Sequence, residues 1–108
     1  MTGIAILALA AAPALQTAFP RLEDYRLCGV KIAARLERER PTIAPDVLAR
    51  DATLRCDPLL GAAAEETAAR ARPPQDRARI MTEFRQRSIA DLAFRISTLR
   101  ARRKEAAQ

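Results

Sequence analysis

Cys28 and Cys56 are the only two thiols in a chain of 108 residues that contains no histidine. Catalytic dithiols usually stand two residues apart, as in C-x-x-C, and these are far wider. Two distant thiols without histidine supply only half of a zinc site. The remaining chemistry is a structural disulfide, which requires an oxidising compartment. Chain entropy assigns closure of such a loop about 3.6 kcal/mol, a large share of the stability of a small domain.

The start of the chain bears on that compartment. The first charged side chain is Arg21, so residues 1–20 form a neutral, alanine-rich run whose apolar centre, Ile4 to Leu15, has the length of a secretory h-region. Small residues stand at Ala12-Pro13-Ala14 and at Gln16-Thr17-Ala18. Residues 1–18 therefore read as a signal peptide cleaved after Ala14 or Ala18, although the basic residue that usually opens such a segment is missing. A transmembrane helix needs about 20 strongly apolar residues, whereas this run is mostly alanine and is interrupted by Pro13. A retained membrane tether is the second reading. The expectation is an exported, periplasmic protein with a helical domain over 19–104 and a tail over 105–108.

Catalysis has little support. Without histidine, proton transfer falls to carboxylates, tyrosine or lysine. The adjacent acids Glu23-Asp24 and Glu65-Glu66 diverge on a helix, and Ser88 and Ser97 have no base beside them. Tyr25 reads as a core-edge residue with its hydroxyl at the surface. No catalytic residue, cofactor or metal site is assigned, and an enzyme of unrecognised type is the third alternative.

Charge offers a binding chemistry instead. The net charge is +6, and it is uneven: residues 20–74 carry +1 and residues 75–108 carry +5. Arg95, Arg100, Arg102, Arg103 and Lys104 are the candidate residues for an anionic partner, which in an exported protein would be an acidic protein, an envelope polymer or an anionic lipid surface. At 100° per residue, Arg79, Arg85, Arg87, Arg95, Arg100 and Arg103 scatter around a helix, and no aromatics interleave them, so sequence-specific nucleic-acid binding is disfavoured. The terminal cluster is expected to lie beyond the apolar seam and to be dispensable for folding. Asp46–Arg50, Asp51–Arg55, Glu66–Arg70, Glu83–Arg87 and Asp91–Arg95 are spaced as i, i+4 pairs, each contributing about 0.2–0.5 kcal/mol.

The elements that position these groups read as helices. With no Trp, one Tyr and three Phe, the core must be built from Leu, Ile, Val and Ala, and few runs show β-branched alternation. Pro20, Pro45, Pro58 and Pro74 stand where helices can begin, followed closely by acids. The pattern predicts an all-α bundle of about four helices stapled by one disulfide, running approximately 20–40, 45–56, 58–72 and 74–104, with Asp57 as N-cap of the third. Leu22, Tyr25, Gly29, Ile32, Ala33 and Leu36 form the inner stripe of the first helix. Ile89, Leu92, Ile96 and Leu99 form the seam of the last, extended N-terminally by Ile80, Met81 and Phe84.

Overall fold

The computed structural model describes residues 18–108, and nearly all of them are helical. Four helices follow in order: α1 (Pro20–Glu39), α2 (Pro45–Arg55), α3 (Asp57–Arg70) and α4 (Arg77–Ala107). The expected signal segment falls, apart from Ala18, outside the described residues.

Proline begins α1 and α2, where its missing N–H leaves no helical bond unmade. Pro58 lies in the first turn of α3 and cannot donate to the carbonyl four residues earlier, so the α2 ladder stops and a one-residue break forms at Cys56. Asp57 is the first residue of α3 instead of its cap. α4 begins later than its prolines suggested, because Asp76 is the N-cap and its carboxylate accepts from the Ala78 N–H at 3.2 Å. It then continues to Ala107, through most of the residues read as a tail.

The four helices make three rods. Cys28 with Cys56, Arg40 with Asp51 and the start of α1 with Glu66 show α2 and α3 descending together antiparallel to α1. Thr53 with Ser88 and Asp57 with Arg85 make α4 antiparallel to that broken rod. α1 and α4 therefore run parallel, with Gly29 against Leu92 and Glu37 against Arg100. A Cβ on Gly29 would lie 3.1 Å from Leu92 Cδ1, so the missing side chain makes room for Leu92 to pack against α1.

Two apolar clusters fill the interior. Ala33 and Leu36 meet Leu48, Ala49, Ala52, Leu92 and Ile96 at one end, and Tyr25 meets Cys56, Leu60 and Ala63 at the other. Alanine is prominent in both, as close rods with few aromatics require. Cys28 and Cys56 are joined, with their Cα atoms 6.0 Å apart, so the bond ties the break in the middle rod to α1.

The N-terminal turn of α1 is satisfied from a distance. Phe19 offers no side-chain cap; instead the Glu66 carboxylate accepts the N–H groups of Arg21 at 3.1 Å and Leu22 at 3.2 Å. Two donors that a helix start leaves without partners are thus met by an anion from α3, in the place the helix dipole favours. The Arg70 guanidinium, one turn on, lies 4.9 Å from the centre of the Phe19 ring.

Candidate functional site

The cationic residues singled out on α4 separate into two groups. Arg100 and Arg103 face α1, where Glu37 is buried with 1% of its surface exposed. Arg100 Nε donates to Glu37 Oε2 at 3.3 Å, Arg103 Nη1 donates to the same oxygen at 3.3 Å, and Arg103 Nη2 donates to Oε1. Arg100 also donates to the Arg40 carbonyl at the end of α1. The Arg103 hydrogen bond, opposed by burial and assisted by Arg100, holds the Glu37 carboxyl below the ordinary carboxylate range. The expectation that the whole terminal cluster is dispensable for folding is corrected here. Removing both arginines strands a buried carboxylate without compensation.

Arg95, Arg102 and Lys104 are exposed and make no ion pair among the described residues. Arg95 and Arg102 border a groove between α1 and α4. Its two adjoining cavities, of about 210 and 660 Å³, are lined by those two helices alone and share Arg26, Val30, Asp91 and Arg95. The apolar surface comes from half-buried Leu22, Val30, Ala34 and Phe84, with the core residues Ala33, Leu92 and Ile96 behind them. On the rim, Phe94 is 74% exposed and Leu99 is 40% exposed, although Leu99 was expected to continue the inner seam. Its place at that level of the core is taken by Glu37 and its arginines.

Arg26 and Arg87 complete the cationic lining; neither was a candidate from sequence, where Arg87 was expected to pair with Glu83. On α4 the relevant arginines are Arg87, Arg95 and Arg102, which fall within an arc of about 80° when positions advance by 100° per residue. The scatter comes from counting with them Arg85, Arg100 and Arg103, which pair with α3 and α1, and Arg79, which pairs with Glu83 on α4 itself. Phe84, Ser88, Asp91, Arg95, Thr98 and Arg102, alternating by four and three, form a second seam that the sequence contains in full view.

At the smaller of the two cavities lies a polar node. Tyr25 is buried rather than at the core edge, because α3 covers it with Leu60 and Ala63. Its hydroxyl has no hydrogen-bond partner. Ser88, whose Oγ is 2.8 Å from Thr53 Oγ1, lies beside it without completing a bond. Burial pushes the phenol above its ordinary value, and the Asp57 charge adds to this against the opposing influence of Ser88 and Arg85. Asp57 itself is held by Arg85 through two bonds of 3.1 and 3.2 Å. Ser88 thus has a hydroxyl for a partner, not a base. The arrangement can hold an anion along the groove through forked guanidinium donors and apolar contact.

No protein-family model, curated protein or solved structure matches the chain. No described helix is long and apolar enough to cross a membrane.

Proposed function

We propose that this chain is an exported helical binding module, not an enzyme, and that the outer face of α4 engages an anionic partner. The observation that carries this reading is the division of the basic residues. Arg100 and Arg103 are engaged with a buried carboxylate, whereas Arg95 and Arg102, which share a groove with Phe94, and Lys104 near the helix end stand exposed without an ion pair among the described residues. A large aromatic left 74% exposed beside uncompensated arginines supports a contact surface over a merely solvated helix. The neutral N-terminal run and the cysteine pair support export.

The test is retention of the mature domain on immobilised poly-L-glutamate. Exposed charges contribute about 0.2–1 kcal/mol each, so the triple variant Arg95→Gln, Arg102→Gln, Lys104→Gln is expected to bind about threefold to 150-fold more weakly. Retention should also fall with salt. Absence of retention at low ionic strength, or equal retention by the variant, would exclude the reading. Arg100 and Arg103 stay unchanged in this experiment, so that Glu37 keeps its partners.

A further inference from the structure

We infer that the groove between α1 and α4 is the docking site for an acidic amphipathic helix of a partner protein, which would lie along the three rods as a fourth. This rests on the reading of α4 as a surface for an anionic partner and specifies what that partner presents.

Shape is the first argument. The groove extends from Leu22 to Ala34 along α1 and from Phe84 to Arg102 along α4. At 1.5 Å per residue these stretches measure about 18 and 27 Å, the length of a helix of roughly 12–18 residues. A small anion would occupy a fraction of that length. A bilayer surface would meet the convex rim and leave the apolar floor uncovered. A rod of helical diameter reaches both.

The floor is built for close approach. Ala34 is small, and half-buried Leu22, Val30 and Phe84 form with it an apolar track, backed by the core residues Ala33, Leu92 and Ile96, that an amphipathic helix can cover with residues at three- and four-residue intervals. Phe94 rises beside this track, offering the large aromatic anchor on which helix-in-groove contacts concentrate their energy.

Charge specifies the flanks. Four arginines line the groove, Arg26 from α1 and Arg87, Arg95 and Arg102 from α4, against the single carboxylate of Asp91. None of the four has an ion-pair partner among the described residues; Asp91 also stands outside ion-pair distance of both Arg87 and Arg95. Guanidinium groups on both walls therefore favour a helix with Glu or Asp on both sides of its apolar stripe. They disfavour a basic helix through like-charge repulsion.

The experiment uses the disulfide-bonded mature domain and three synthetic 16-residue amphipathic helices. All share one Leu/Ile stripe, and their flanking positions are all Glu, all Gln or all Lys. Titration by fluorescence anisotropy is expected to rank them Glu above Gln above Lys, with at least a tenfold advantage of Glu over Gln at low salt. Phe94→Ala and Arg95→Glu, both at exposed positions, should each weaken the Glu peptide at least fivefold. A Glu peptide whose residues are scrambled to destroy the stripe should lose the same advantage. Scrambled and ordered Glu peptides binding alike would overturn the helix inference while poly-L-glutamate retention still supported an anionic partner. A ranking indifferent to flank charge, no binding by any peptide at about 1 mM, or self-association of the domain through Phe94 would overturn it as well.

Discussion

Glu37 is the residue whose chemistry most constrains this fold. Its carboxylate is buried between α1 and α4 and is held by Arg100 and Arg103 from 63 and 66 positions along the chain. Folding lowers its pKa from the ordinary 4.5, so the stabilisation it supplies is complete above that value and disappears as pH falls through the folded value. Thermal scans should show a flat Tm near neutrality and a decline below pH 4.5, and Glu37→Gln should flatten that acidic limb. A limb of unchanged slope in the variant would assign the acid sensitivity to other carboxylates. At neutral pH, Arg100→Gln with Arg103→Gln should be less stable than the same pair combined with Glu37→Leu, because an unpaired buried charge costs more than its removal with both partners.

At the scale of elements, Gly29 lies where α1 receives the Leu92 side chain of α4. Replacing it with alanine gains about 1 kcal/mol of helix propensity and places a methyl group 3.1 Å from a movable Leu92 tip, so the net change should be within about 1 kcal/mol. Gly29→Leu cannot be accommodated in this way, and urea midpoints should report a loss of about 1–3 kcal/mol. A leucine variant as stable as the parent would mean that the rods are not in contact there. The helices themselves were legible, because prolines and acids mark their starts and Leu22, Tyr25, Gly29, Ala33 and Leu36 repeat with helical spacing. Partnerships across the bundle were not. Of the five i, i+4 pairs anticipated from spacing, Asp51–Arg55 forms at 2.9 Å among the described residues. Glu66 caps α1 instead of meeting Arg70, and Glu83 pairs backward with Arg79 at 3.4 Å. Spacing along one helix cannot compete with a neighbouring helix end or guanidinium whose position only the tertiary fold supplies. For the same reason the groove was hidden, since half of it belongs to α1 and the charge reading followed α4 alone.

At the scale of the whole molecule, the described residues form three rods in mutual contact, and the covalent staple and the candidate site lie on different pairs of them. The staple joins α1 to the break in the middle rod, and the groove joins α1 to α4. Cys28→Ser should lower stability by about 2–5 kcal/mol, read from denaturant midpoints with and without reductant. A variant unfolding at the same midpoint as the oxidised parent would exclude a stabilising role for the bond. The same topology divides the backbone into fragments of unequal fate. A protease cut between α1 and α2, at residues 40–44, leaves both pieces in one covalent species until a reductant is added. A cut between α3 and α4, at residues 71–76, leaves α4 bound only by packing and ion pairs, free to exchange with an added synthetic copy of itself. The chain is thus a natural two-piece assembly, in which one half of the groove can be relabelled or redesigned as a peptide while the other half stays stapled.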